Sequence, residues 1–138
     1  MVTMIDIKKS IVEKLEPLGK IIANDIRSGF DKPAFFIQLM PLGDTPGVNI
    51  STITLMINIH YFPNDKIELE NLKMLDNLRK IFIHTLKCGD RVFTLSDKRF
   101  DIIDNVLQFT FDIRYTEETL NEFEEEYETA IDLSIDFE

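Results

Sequence analysis

Residues 29–63 read GFDKPAFFIQLMPLGDTPGVNISTITLMINIHYFP, and this segment gives the clearest indication of the fold. Two β-patterned runs, 34–40 and 50–62, flank a segment rich in proline and glycine, which predicts a β-hairpin. Apolar and polar side chains alternate along the second run, and it stops before Pro63, because proline has no N–H for a ladder. At about 3.3 Å per residue the second run spans roughly 40 Å, so we expect one end of the hairpin to project as an arm.

A first helix precedes the hairpin. Thr3 and Asp6 have the spacing of a capping box, and apolar residues recur at helical spacing through 3–18. The segment that follows favours a short edge strand over 20–27 and a loop over 28–32. The helix is therefore expected to pack its apolar side against the sheet.

A second helix follows the hairpin. Asn64-Asp65 supplies a start signal, an apolar stripe runs through 66–87, and Gly89 is a suitable stop. Both helices are expected to cover the same face of the sheet.

A second hairpin is predicted after this helix. Residues 91–95 and 99–103 have strand character, and 107–115 alternates strictly between apolar and polar side chains. Asp104 and Asn105 are residue types that tolerate the left-handed backbone of a tight turn. The predicted class is α+β, with a mixed or antiparallel sheet of about four to five strands and two main helices on one face.

The net charge of −10 is confined to one end of the chain. All 15 Lys and Arg residues precede residue 116, so residues 1–115 are neutral. We therefore divide the chain into an α+β domain, 1–115, and an acidic C-terminal extension, 116–138. The acids of the extension are Glu117, Glu118, Glu122, Glu124, Glu125, Glu126, Glu128, Asp132, Asp136 and Glu138.

The extension has two predicted parts. Thr116 can begin an acidic helix that continues to about Glu128. Apolar and polar residues then alternate to the end, which predicts a strand that pairs with its own sheet edge or with another subunit. A solvated acidic tail is the alternative interpretation. The candidate interaction residues of the extension and of the hairpin turn are Ile131, Leu133, Ile135, Phe137, Thr45, Val48, Glu124, Glu125 and Glu126.

Residues for catalysis or for cofactor and metal binding are not predicted. His60 and His84 are far apart in the sequence and lack metal-binding spacing, so structural roles are expected. Cys88 is the single cysteine, which excludes an internal disulfide and suits a reducing compartment. The acidic balance argues against specific nucleic-acid binding. We also expect no signal peptide and no membrane span.

The hairpin carries a resemblance to a known family. The pair Gly29-Phe30, the run Pro33–Phe36 and the run Ile59–Pro63 together resemble the tail terminator proteins of tailed phages and phage-like elements of Gram-positive bacteria. The resemblance runs to about Tyr115. Unlike many related sequences, this chain has no basic residue in Pro41–Asn49.

The resemblance implies an α/β subunit that assembles into a ring of six copies. Such a ring caps the head-proximal end of the tail tube, stops tube polymerisation and presents a surface to the head connector or collar. The implied partners are other copies of the chain, the tube protein and the sheath. Assembly is expected in the bacterial cytoplasm, as part of a virion tail or a headless tail-like bacteriocin.

Three other interpretations stay open at this stage. A head-to-tail joining or completion protein would have a similar size and also form rings. An inhibitor could use the acidic tail to mimic DNA and bind a basic protein. A small enzyme would need a pocket built around His60 or His84.

Overall fold

The structure is a computed structural model that describes residues 2–22, 32–64 and 68–119. The sheet has the strand order β1-β2-β3-β6-β5-β4, in which only the β1–β2 pair is parallel. The predicted α+β class with a mixed sheet is confirmed, but six strands are present instead of four to five. The elements are α1 (Met4–Leu15), a 3-10 turn (Glu16–Leu18), β1 (Lys20–Ile22), β2 (Ala34–Pro46), β3 (Ile50–Phe62), α2 (Glu68–Ile81), β4 (Thr85–Cys88), β5 (Arg91–Ile103) and β6 (Val106–Glu118).

The core lies between one face of the sheet and both helices. Strand β3 pairs along its length with β2 on one side and β6 on the other. Its alternate side chains are buried, as its sequence pattern predicts. The helices contribute Ile7, Ile11 and Leu15 from α1, and Met74 and Leu78 from α2, to the same apolar cluster. The expectation that both helices cover one face is therefore confirmed.

The start of α1 follows its capping signal. The Thr3 N–H donates to Asp6 Oδ2 at 3.0 Å, and the Asp6 N–H donates to Thr3 Oγ1 at 3.2 Å. These contacts satisfy two backbone donors that a helix start leaves unpaired. The backbone hydrogen bond from Thr3 also lowers the pKa of the Asp6 carboxyl.

The second helix is shorter than predicted. It ends at Ile81, and Thr85–Cys88 form strand β4 instead of continuing the helix to 87. Leu86 is four residues after Phe82, so it fits a helical stripe, but the burial of Leu86 and Cys88 has the spacing of a strand. Gly89, with φ of 60°, lies in the turn after β4 and is not a helix stop.

Strand β5 is one strand that contains both of the segments predicted as separate strands, 91–95 and 99–103. An irregularity between Ser96 and Arg99 interrupts its pairing with β6, and Asp97 has a positive φ of 49°. The strand continues beyond this bulge to the turn at Asp104 and Asn105, whose φ values of 50° and 63° confirm the predicted tight turn.

Strands β2 and β6 extend further than predicted. Strand β2 continues to Pro46, so only Gly47–Asn49 connect it to β3. The predicted helix start at Thr116 is wrong, because β6 continues and Glu118 pairs with Ile50. Pairing with β3 therefore extends β6 through Thr116, although the local sequence there favours a helix N-cap. The division of the chain at residue 115 stays a prediction.

Candidate assembly surfaces

The first candidate surface is the end of the sheet formed by the β2–β3 turn. All of Pro41–Pro46 is exposed, as is Val48, and Thr45 lies opposite Thr52 on β3. The Thr119 N–H donates to the Asn49 carbonyl at 3.1 Å. The structure therefore brings Thr45 and Val48 to the same end of the sheet at which the acidic extension leaves β6.

The expected two-stranded arm is three strands wide. Strand β6 pairs with β3 as far as Ile50, so it accompanies the hairpin to its end. Ser51 and Ile53 remain buried there, and the Ser51 hydroxyl donates to the Asp44 carboxylate. The extra strand supports β3, while Pro41–Pro46 of β2 and Val48 of the turn remain exposed.

An arginine is anchored near this end. The Arg91 guanidinium lies 5.3 Å from the centroid of the Phe93 ring and 5.0 Å from that of Tyr115. It also donates to the Thr116 carbonyl. Burial, followed by the negative charge of Glu117, raises the pKa of the Tyr115 hydroxyl, while Arg91 acts in the opposite direction. This cation therefore stabilises the packing of β5 on β6.

The second candidate surface is the sheet face opposite the helices, and the described helices contribute no residue to it. Its contacts are polar: Asn58 Nδ2 donates to Gln108 Oε1 at 3.4 Å, and Arg99 forms an ion pair with Asp112 at 3.2 Å. By strand register this face carries Phe36, Gln38, Met40, Thr52, Thr54, Met56, Asn58, His60, Gln108, Thr110, Asp112 and Arg114.

His60 on this face is an aromatic packing residue. Its ring centroid lies 5.6 Å from that of Phe36 and 6.5 Å from that of Phe62. Burial lowers the pKa of the imidazole, and Nε2 has no hydrogen-bond partner in the described part of the chain. Within residues 2–22, 32–64 and 68–119, no group of three or more His, Cys, Asp and Glu side chains could hold a metal ion. His84 is exposed and lies in the turn between α2 and β4.

The third candidate surface is a groove between α2 and β5, which the sequence analysis missed. Phe100 and Ile83 supply apolar walls, and these residues are 48% and 54% exposed, respectively. The α2–β5 groove is lined by Asp76, Arg79, Lys80, Ile83, Lys98 and Phe100. Its signal in the sequence is weak, because the basic residues come from two elements that are distant along the chain.

The remaining predicted interaction residues lie outside the part of the chain that the structure describes. They are Glu124, Glu125, Glu126, Ile131, Leu133, Ile135 and Phe137.

Comparison with known protein families shows the family of the chain. The family model described as phage tail terminator protein matches residues 6–126, from α1 into the acidic extension. The chain belongs to the phage tail terminator family. Membership of this family gives the chain a structural role in a phage tail, in association with other tail components. No curated protein sequence matches it significantly. None of the helices among the described residues is long and apolar enough to span a membrane.

Proposed function

We propose that this tail terminator is a non-catalytic subunit of a ring of six copies at the head-proximal end of a tail tube. The ring stops addition of further tube protein and offers a docking surface to the head connector or collar. The observation that carries this proposal is the family match over residues 6–126. The ring assembles in the bacterial cytoplasm, on a tube that a sheath can surround.

The distribution of surfaces supports a ring. Each subunit of a closed ring contacts its two neighbours through different surfaces. The described residues offer two such surfaces on separate elements, namely the β2–β3 turn with Thr45 and Val48, and the α2–β5 groove. The segment 41–49 carries no basic residue, and it offers exposed apolar groups, the Thr45 hydroxyl and the Asp44 carboxylate for contacts.

The acidic extension has a second proposed role. Glu124, Glu125 and Glu126 begin five residues after Thr119, where the described chain ends beside the β2–β3 turn. Carboxylates at the rim or lumen of a ring repel the phosphates of passing DNA. We therefore assign these residues to the channel side of the ring. Electron cryomicroscopy of capped tubes tests this, since carboxylates that point away from the channel would contradict it.

Electron microscopy of tube assembly tests the main proposal. Tube protein is polymerised with and without the chain, and tube lengths and end structures are measured. We expect uniform tubes with a terminal ring only when the chain is present. Val48→Asp should weaken capping, while Asp90→Asn, on the exposed β4–β5 turn, serves as the control.

Two outcomes would favour other functions. Tubes that have normal length and end structure without the chain, but fail to join heads, would indicate a joining protein. An absence of self-assembly together with tight binding to a DNA-handling enzyme would indicate an acidic inhibitor, which the charge of residues 116–138 favours.

A further inference from the structure

Half of strand β5 has an open edge. Strand β4 pairs only with Arg91–Thr94, whereas Arg99–Ile103 pair with β6 alone among the described residues. Because Ile103 pairs next to the two-residue turn, Phe100 and Ile102 direct their backbone N–H and C=O groups away from β6. The Ile102 N–H donates to the neighbouring Asp101 carboxylate at 2.9 Å. A side-chain oxygen thus accepts the hydrogen bond that a carbonyl of an adjacent strand would otherwise accept.

The α2–β5 groove meets this open edge at Phe100. Asn71 of α2 donates to the Asn105 carbonyl at the β5–β6 turn, and Lys98 of β5 donates to the Phe82 carbonyl just beyond the end of α2. These two hydrogen bonds connect the start of α2 to the β5–β6 turn, and the segment just after α2 to Lys98 of β5.

The apolar side chains along the open edge of β5 are half-exposed. Phe100 and Ile102 lie opposite Phe109 and Leu107, which are fully buried, so both side chains are on the helix-covered face. Phe100 also packs on Phe109 with a ring separation of 5.7 Å. Nevertheless 48% of Phe100 and 40% of Ile102 are exposed, because no further strand lies beside them in the described chain. Such an edge is suited to receive an added strand.

The rim of the groove is basic. Arg79 and Lys80 on α2 and Lys98 on β5 line it, and Asp76 is the acid among its lining residues. Asp76 Oδ1 lies 3.8 Å from Arg79 Nη1, and both side chains are mostly exposed, so this ion pair contributes little to stability. The three basic residues outnumber Asp76, so the rim has a net positive charge. The preferred occupant is thus an extended segment that combines apolar side chains at alternate positions with acids.

The chain itself contains a segment of this chemistry. Residues 130–138 read AIDLSIDFE, in which Ile131, Leu133, Ile135 and Phe137 alternate with polar and acidic residues. We propose that residues 130–138 of a neighbouring copy add as a strand to the open edge of β5. Their apolar side chains then cover Phe100 and Ile102, and their acids approach the basic rim. This inference rests on the proposed self-assembly and names one of its contacts.

The geometry favours a neighbouring copy, and not the same chain, as the source of the segment that pairs with β5. Strand β6 carries the chain away from the groove, since Phe100 lies opposite Phe109 whereas the described chain ends at Thr119, beside the β2–β3 turn. Thr119 is ten positions after Phe109, which corresponds to about 33 Å of strand. Residues 120–130 would have to reverse direction and run almost fully extended, at roughly 36 Å, to return. A copy adjacent in a ring has no such requirement.

A peptide titration into the full-length chain tests the contact. The probe is a fluorescein-labelled peptide of residues 129–138, and the receiver carries Leu133→Asp and Phe137→Asp to disable its own segment. We expect saturable binding by fluorescence anisotropy. Adding Phe100→Asp should weaken binding at least about tenfold, as for a central interface residue. Val92→Asp is the matched control, because Val92 is exposed on the part of β5 that β4 covers.

Three results would overturn the proposal. The peptide could fail to bind, bind equally to the Phe100→Asp variant, or bind no better than a scrambled peptide that groups its apolar residues at one end. Circular dichroism confirms that each receiver is folded, and a milder variant, Phe100→Ser, replaces Phe100→Asp if that chain fails to fold.

The unmutated chain then distinguishes the source of the segment. At a concentration where light scattering gives a monomer, it should bind the peptide as tightly as the receiver does. Binding at least about tenfold weaker would show that its own segment occupies the groove, which contradicts docking from a neighbour. Tube assembly separates this inference from the proposed function. Normal capping without peptide binding would reject only the contact, whereas peptide binding without capping would reject only the terminator role.

Discussion

Asn71 Nδ2 donates a hydrogen bond to the Asn105 carbonyl at 3.2 Å and thereby joins the first half of α2 to the β5–β6 turn. Asn71 is fully buried, and Asn105 has the left-handed φ of 63° that the turn needs. A buried amide with a backbone partner fixes the position of the helix more narrowly than apolar contact alone. This pair therefore fixes the start of α2 against the β5–β6 turn.

Asn71→Ala should destabilise the fold by about 1–3 kcal/mol, because it leaves the Asn105 carbonyl without this partner and opens space in the core. Urea unfolding followed by circular dichroism measures the change. Asn77→Ala, on the exposed side of the same helix, should have little effect. Equal midpoints for both variants would contradict the assigned role of Asn71.

Phe82→Ala should destabilise the fold by about 3–5 kcal/mol, the range for removal of a buried aromatic ring. The Phe82 ring is fully buried and lies 5.4 Å from Phe111 and 6.2 Å from Phe109, centroid to centroid. Ile83→Ala, at the next position, removes an exposed side chain and should barely change stability. It should nevertheless weaken binding of the 129–138 peptide, so the two variants separate core packing from groove contacts.

Local patterns predicted the hairpins and the first helix well. The strict alternation in β3 and β6 reflects burial of one sheet face, and the Thr3–Asp6 capping box forms as its spacing indicates. Positive φ at Asp104 and Asn105 is also a local property of these residue types. In each case the residues that determine the local structure lie within a few positions of it in the sequence.

The errors arise where a distant element decides the structure. Lys98 hydrogen-bonds the carbonyls of Phe82 and Ile83 beyond the end of α2, although it is sixteen and fifteen residues further along the chain, respectively. Pairing with Ile50 keeps Glu118 in a strand. The α2–β5 groove was missed for the same reason, because Phe100 resembles a core residue until β4 is seen to end short of it.

The pH dependence of stability should report on His60. Burial lowers the pKa of its imidazole in the folded chain below the ordinary value of about 6.5, so the unfolded chain binds a proton more readily. The contribution of His60 to the free energy of unfolding is fully present above about pH 6.5, and it is lost as the pH falls through the lower pKa of the folded chain. Urea unfolding between pH 4 and 8 should show a smaller loss for His60→Phe than for the unmutated chain. His84→Gln, which removes the exposed histidine, is the control, and an unchanged profile for His60→Phe would reject the assignment.

At alkaline pH the corresponding group is Tyr61. Its hydroxyl donates to Glu70 Oε1 at 3.2 Å, and burial, followed by the charge and hydrogen bond of Glu70, raises its pKa to about 12. An unfolded tyrosine ionises near pH 10, so stability from Tyr61 is complete below pH 10 and is lost as the pH rises to about 12. Tyr61→Phe should remove this part of the decline, and its absorbance titration at 295 nm should lack the highest-pH component. Glu70→Gln removes the charge but keeps an acceptor, so it should move that component only part of the way toward pH 10. A titration of Tyr61→Phe that superimposes on that of the unmutated chain would show that Tyr61 is not the group held neutral.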